Sequence, residues 1–286
     1  MESIGMINAP IFGVSRHRLT TDGRGVTTLV TFHGCTLKCK YCLNPQCLEL
    51  NKNIPHYTPQ SLFDEVKKDD IYFRATGGGI TFGGGEPCLQ AGFIRAFRCL
   101  CPPEWKIRIE TALNVNTTIV ENLASIVDEW IVDIKSLNPA MFESYTGYNI
   151  AQRNNSFDRL AKLVPLDMIK LRIPIIPGYT TKLEALSDME HLKTLGFTRF
   201  DIFSYVIEKP LRYGSLIPGL LPGRAKCEVM KRIRNIIADA NGIEKSSRIC
   251  THKGDCAGTC PLCEKELFDL TQTIYSKIKQ NHPICL

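Results

Sequence analysis

Short apolar runs, each closed off by glycine, asparagine or a charged residue, alternate along this chain with longer stretches whose apolar positions recur at helical spacing. The runs predict strands over 27–32, 79–83, 106–111, 130–134, 168–173 and 200–205. Between and after them the pattern predicts helices over 59–68, 89–99, 119–126, 151–163, 182–195 and 224–240, with Thr58 as N-cap of the first. Such alternation builds parallel βα units, and six is a barrel-like count. The expected fold is therefore α/β, a partial (β/α)6 TIM-like barrel. In such folds ligands sit at the carboxyl ends of the strands, so segments that follow strands are where chemistry should converge.

After Ala240 the alternation stops. The next segment, NGIEKSSRICTHKGDCAGTCPLC, is polar and cysteine-dense, and a last amphipathic helix is expected over 264–280, with Leu267, Leu270, Ile274 and Ile278 facing the barrel. A domain boundary is placed near Asn241: 1–240 as the core domain and 241–286 as a small C-terminal cysteine-rich extension.

The 286 residues suffice for one large core with an appendage, and the apolar fraction of 44% is that of an ordinary globular protein. No apolar run is long enough to span a bilayer, and the N-terminus MESIGMINAP lacks the pattern of a secretory signal, so a cytoplasmic protein is expected. The net charge of +6 is spread along the chain rather than gathered into an aromatic-interleaved patch, which argues against nucleic-acid binding and suits docking of an acidic electron donor. Thirteen cysteines in two tight clusters, without a signal peptide, favour metal binding over disulfides.

The first cluster, GCTLKCKYCLNP over 34–45, sets Cys35, Cys39 and Cys42 in C-x3-C-x2-C spacing just after the first predicted strand. Three thiolates on one loop suit one soft metal centre, zinc or iron-sulfur, and leave one coordination position open for something else. One βα unit further on comes GGGITFGGGEP, a glycine-rich turn ending on Glu86. It has no following Gly-Lys-Ser or Gly-Lys-Thr, and its acid would repel phosphate, so a cationic ligand fits it better. Asp133 and Lys135 stand two apart at the end of the fourth predicted strand, as a functional pair or as a surface ion pair.

These motifs, in this order, resemble the radical S-adenosylmethionine (SAM) superfamily, and over 15–210 most closely its glycyl-radical-enzyme activating enzymes, such as those of pyruvate formate-lyase. The likeness is carried by DGRG at 22–25, FHGC at 32–35, LNP at 43–45, GGE at 84–86, Glu110-Thr111, Asp133-Ile134-Lys135 and RIPIIPGY at 172–179. It implies a radical SAM barrel in which Cys35, Cys39 and Cys42 hold three irons of a 4Fe-4S cluster and SAM chelates the fourth. It also implies SAM-binding roles for Tyr41, Asn44, Gly84, Gly85, Glu86, Glu110, Asp133, Lys135, Pro177 and Gly178. Reductive cleavage of SAM to a 5'-deoxyadenosyl radical would then remove a hydrogen atom from a backbone glycine of a partner glycyl radical enzyme, anaerobically, with a flavodoxin- or ferredoxin-type electron donor. A peptide- or small-substrate-modifying radical SAM enzyme and a non-catalytic iron-sulfur or zinc protein are the alternatives.

The chain also departs from that family. Arg24 stands for proline, Thr27 and Thr31 are unusual, and FSYV at 203–206 lacks a histidine that would contact SAM. An eight-cysteine ferredoxin insert is missing between the two motifs. These differences bear on the substrate rather than on SAM chemistry. The second cluster, Cys250, Cys256, Cys260 and Cys263, offers four thiolates for a closed site, an auxiliary 4Fe-4S cluster or structural zinc, with His252 read as a surface residue. Cys99, Cys101 and Cys227 are expected as core thiols, and so is Cys88, although it lies near the SAM motif. Cys47 and Cys285 have no assignment.

Overall fold

The structure, a computed structural model, describes residues 7–19, 21–49, 53–205, 223–245 and 259–286. Six strands run parallel in sequence order: β2 (Thr27–Phe32), β4 (Gly79–Gly84), β5 (Lys106–Thr111), β6 (Glu129–Asp133), β7 (Ile169–Ile175) and β8 (Arg199–Ser204). They are the six that the apolar runs predict. Two further strands extend the sheet antiparallel to them, β1 (Ala9–Arg18) beside β2 and β3 (His56–Tyr57) beside β1. The result is an open eight-stranded sheet, β3-β1-β2-β4-β5-β6-β7-β8.

Helices return the chain between the parallel strands: α1 (Pro59–Val66), α2 (Asp70–Thr76), α3 (Ala91–Arg98), α4 (Thr117–Ala124), α5 (Pro139–Thr146), α6 (Ala151–Leu163) and α7 (Lys182–Thr194). Their ends follow from local chemistry. Thr58 caps α1 by accepting from the Ser61 N–H at 3.1 Å, while the Thr58 N–H donates to the Ser61 hydroxyl at 2.9 Å. Thr58→Ala is expected to lower stability by about 1 kcal/mol, read as a shifted urea midpoint with unchanged slope. Thr181 and Glu184 form the same reciprocal cap on α7. Helix α5 is framed by Asn138 as cap, Pro139 at its first position and Gly147 after its end.

The main core lies between the sheet and these helices and is rich in buried aromatics. Phe32 stacks on Phe82 at 5.4 Å, Phe93 and Phe97 meet that pair edge-on, and Trp105 packs against Phe63 and Phe73. Two last helices, α8 (Gly223–Ala240) and α9 (Pro261–Lys279), share a second core with α2, made of Val26, Ile71, Tyr72, Met230, Ile237, Leu267, Leu270 and Ile274. Ile278, expected on that face, is 39% exposed, being one turn beyond the buried stripe.

Charged side chains fasten the same region. Arg16 joins Asp69 at 2.6 Å to Glu264 at 2.8 Å, and Arg234 donates both to Glu266 and to the Tyr72 hydroxyl at 2.7 Å. Asp70 accepts from the Trp105 indole at 2.6 Å and from the Tyr275 hydroxyl at 2.7 Å.

Among the described residues no helix is long and apolar enough to cross a membrane. The described cysteines form no disulfide. Cys99 is exposed rather than in the core, because it caps α3 beyond the buried face of that helix. Cys101 is half-buried, with its thiol on the Phe97 carbonyl, and Cys88 is fully buried beside Thr111.

Candidate active site

The loop after β2 carries Cys35, Cys39 and Cys42, all half-buried, at the carboxyl end of the parallel strands. It has no regular structure of its own and is held from three sides. The Gly34 N–H donates to the Cys47 carbonyl at 2.9 Å, the Lys38 and Lys40 N–H groups donate to Thr146 and Tyr145 carbonyls at 3.0 Å, and Asn44 donates to the Gly84 carbonyl at 3.1 Å. Leu37 anchors the loop in a small apolar cluster with Phe142 and Ile150, against which Cys35 and Cys39 pack.

The turn after β4 is seated directly on this loop. The Gly85 N–H donates to the Phe32 carbonyl at 2.9 Å, and the Glu86 N–H donates to the Gly34 carbonyl at 2.8 Å. The approach is so close that a Cβ on Gly85 would lie 1.9 Å from the Gly34 oxygen, and Gly84 adopts φ +98°, a conformation that favours glycine. Thus the glycines that read as a loop motif are, in the fold, the contact between two neighbouring strand ends.

Glu86 itself turns inward. It is 1% exposed, and its carboxylate accepts from the Thr111 hydroxyl at 2.6 Å, the Ala112 N–H at 3.1 Å and the Cys88 N–H at 3.2 Å. Burial pushes its pKa up, with the bonds from Thr111 and Cys88 opposing. Its carboxylate is thus already occupied by protein donors behind the turn.

On the next strands the charges gather. Lys135 donates to Asp133 at 2.7 Å. Burial works against the Lys135 ammonium, yet Asp133, and after it Cys39, hold its pKa above the ordinary range. Arg172 on β7 pairs with Glu110, lies 3.8 Å from Asp133 and sits over the Phe203 ring at 4.9 Å. Among the thiols, burial pushes Cys35 up to about 11 and also raises Cys39, where Lys135 opposes it. Cys42 is lowered, chiefly because the buried Cys47 thiol hydrogen-bonds to it.

Tyr179, next to the exposed turn residues Pro177 and Gly178, meets Tyr41 at 6.0 Å and Tyr145 at 5.2 Å, both edge-on. Tyr145 also hydrogen-bonds with Tyr205 beyond β8. These tyrosines form an aromatic wall beside the lysine and the cysteine loop. The fold thus brings together Cys35, Cys39, Cys42, Tyr41, Asn44, Gly84, Gly85, Glu110, Asp133 and Lys135, while Pro177 and Gly178 stay at the outer rim. Sequence reasoning left out Cys47, Tyr145 and Tyr205, and among these only Tyr205, at a strand end, carried a usable signal.

Whether this mouth suits a cluster and its ligand is tested by its donors. Among the described residues no three His, Cys, Asp or Glu side chains already stand in metal-holding geometry. The three thiols do lie on one irregular loop, near enough that ionising Cys39 or Cys42 disfavours ionising Cys35. Beside them the buried Asp133 Oδ1 and Arg172 Nε have no hydrogen-bond partner, which leaves an acceptor and a donor for a polar ligand. The residues fit an iron-sulfur centre with a zwitterionic ligand.

The model of the Radical SAM superfamily matches residues 29–189, which include the cysteine loop, the glycine turn and the Asp133-Lys135 pair. The chain belongs to the radical SAM superfamily. It is similar to pyruvate formate-lyase 2-activating enzyme of Escherichia coli K12, 30% identical over 207 residues that make up 62% of this chain and 70% of the relative. Pyruvate formate-lyase-activating enzyme of Listeria monocytogenes is 32% identical over 136 residues, 42% of this chain and about half (51%) of that enzyme. Among solved structures, Streptococcus suis SuiB bound to S-adenosylmethionine aligns with a TM-score of 0.48 at 12% identity, over 78% of this chain and 52% of that one. This radical SAM protein is an enzyme, an oxidoreductase of that class.

The second cysteine group is only partly in view. Cys250, Cys256 and His252 lie outside the described residues. Cys260 caps α9, and Cys263 is buried in its first turn. Burial raises the Cys263 thiol, and neighbouring Cys227 and Cys260 add to that.

Proposed function

We propose that this radical SAM enzyme activates a glycyl radical enzyme, taking a hydrogen atom from a backbone glycine of that partner. The observation that carries the reading is the meeting of the cysteine loop, the Gly84-Gly85 turn and the Asp133-Lys135 pair at one mouth, in a chain similar along most of that core to pyruvate formate-lyase activating enzymes. Cys35, Cys39 and Cys42 would hold the SAM-binding 4Fe-4S cluster. Gly84, Gly85, Glu86, Glu110, Asp133, Lys135, Tyr41, Asn44, Pro177 and Gly178 would serve SAM. When bound, cluster and SAM supply the reductive cleavage that yields a 5'-deoxyadenosyl radical.

The chain's own residues have separate tasks in this reading. The seat of Gly85 on Gly34 fixes the cysteine loop relative to the turn, so that ligand and thiols keep one register. Lys135 and Arg172 neutralise Asp133 and Glu110 in a half-buried mouth, which lets a zwitterion enter without stranding a charge. Tyr41, Tyr145 and Tyr179 shield that mouth from water on one side. Residues 1–240 would form the catalytic core and 241–286 an extension with a second metal centre, 4Fe-4S or zinc. The basic balance of +6 suits an acidic flavodoxin- or ferredoxin-type donor in an anaerobic cytoplasm.

Anaerobic protein reduced with dithionite is expected to convert SAM to 5'-deoxyadenosine, and with the right partner to raise a glycyl doublet in electron paramagnetic resonance. Cys39→Ala should remove about four irons per chain and all cleavage. Intact SAM in fully loaded protein would overturn the reading, and a modified peptide without a glycyl doublet would move the substrate to the peptide class.

A further inference from the structure

The second cysteine group gains a member from outside its own stretch of sequence. Cys227 and Cys263, 36 residues apart in the chain, bring their Sγ atoms to 3.4 Å. Both are buried, and Cys260 hydrogen-bonds to Cys263 from the other side. The separation is far beyond the roughly 2.05 Å of a disulfide. It is close to the roughly 3.8 Å that separates two thiolates bound tetrahedrally at about 2.3 Å to one zinc.

The frame around the pair is firm. Cys227 is in the second turn of α8 and Cys263 in the first turn of α9, and the two helices are locked a little further along by Arg234 and Glu266 at 2.7 Å, both nearly buried. A helix start also favours thiolate over thiol, and here two helix starts contribute sulfur to one point. Two apolar core thiols would need none of this, and a third cysteine at the cap of α9 is surplus to packing.

We propose that Cys227 is a ligand of the C-terminal metal centre, joining Cys260 and Cys263, so that the metal staples α8 to α9. The inference rests on the reading of the C-terminal cysteine run as a metal site. It changes that reading in one respect: a closed four-thiolate site has room for Cys227 only if one cysteine of the run C-x5-C-x3-C-x2-C stays out. Each thiol releases its proton as the metal binds, so loading is proton-coupled.

The test uses the full-length protein, purified anaerobically, with iron, zinc and sulfide counted per chain. Wild type should carry metal beyond the four irons of the radical SAM loop, either one zinc or about four more irons. Cys227→Ser and Cys263→Ser should each lose that second metal, or yield it to a chelator at least tenfold more readily, while Cys99→Ser, at an exposed thiol, keeps it. Cys227→Ala guards against a misplaced serine hydroxyl in α8, and retention of the loop's four irons in each variant reports that the barrel stands. A wild type with no second metal would sink the metal reading and this inference together. A second metal that survives unchanged in both Cys227 variants would overturn only the assignment of Cys227, as would a Cys227–Cys263 disulfide in the native protein.

Discussion

Alanine at Gly85 is expected to empty the cysteine loop of iron and to slow SAM cleavage by about 100-fold or more, the scale of a 1 Å misplacement of reacting groups. Its Cβ would stand 1.9 Å from the Gly34 oxygen and 2.7 Å from the Gly34 carbonyl carbon, both backbone atoms. The strand ends must part to admit it, breaking the Glu86-to-Gly34 and Gly85-to-Phe32 bonds that register the loop against the turn. Forced overpacking of this kind costs about 1–3 kcal/mol. Circular dichroism should therefore still report a folded chain, while iron per chain and 5'-deoxyadenosine formation collapse. Gly92→Ala, where an added Cβ meets nothing within 4 Å, is the matched control. Full iron and wild-type cleavage in Gly85→Ala would show that the seat does not organise the site.

The second large effect is one of stability. Asp69, fully buried, accepts from Arg16 at 2.6 and 2.7 Å and pairs with His17 at 3.1 Å. Burial alone would raise its pKa, but the bonds from Arg16 and His17 outweigh it, so the folded value lies below the ordinary carboxylate range. Asp69→Ala leaves a guanidinium with little exposure short of a partner and is expected to cost about 3–5 kcal/mol, the range for breaking a buried ion pair. The sign of the pH dependence follows from the depressed value. The contribution is complete above the unfolded Asp pKa near about 4 and is lost as pH falls through the lower folded value. Urea unfolding should show wild type and variant far apart at pH 7 and converging in acid. A gap that stays constant below pH ~4 would mean that Asp69 acts by shape and not by charge.

The six parallel strands were legible because each is an apolar run bounded by turn residues, buried on both sides as a parallel sheet requires. Strand β1 was not. Its Arg16, His17 and Arg18 look like a solvated surface until the fold supplies Asp69, Glu264 and Asp22 as partners from distant segments. Helix α2, DIYFRAT, hid behind the charged DEVKKDD stretch, and α5 is too short for periodicity to reveal.

The site divides in the same way. Motifs that follow strands are visible in one dimension, and the open sheet delivers them to one mouth. Meetings of side chains from separate loops are not visible there. Tyr145 against Tyr179, Cys47 against Cys42 and Cys227 against Cys263 depend on packing that no local pattern encodes. Glu86 shows the limit from the other side, since its motif foretold its address and not that Thr111, Ala112 and Cys88 would claim its oxygens.

The second core bears on how the chain is made. Asp70 and its partner Tyr275 are 205 residues apart. At about 5–20 residues per second of synthesis, the wall formed by Val26, Ile71 and Tyr72 waits roughly 10–40 s for the helix that covers it. For that interval the nascent barrel presents an uncovered apolar flank, and release of the last helix from the ribosome is the event that seals it.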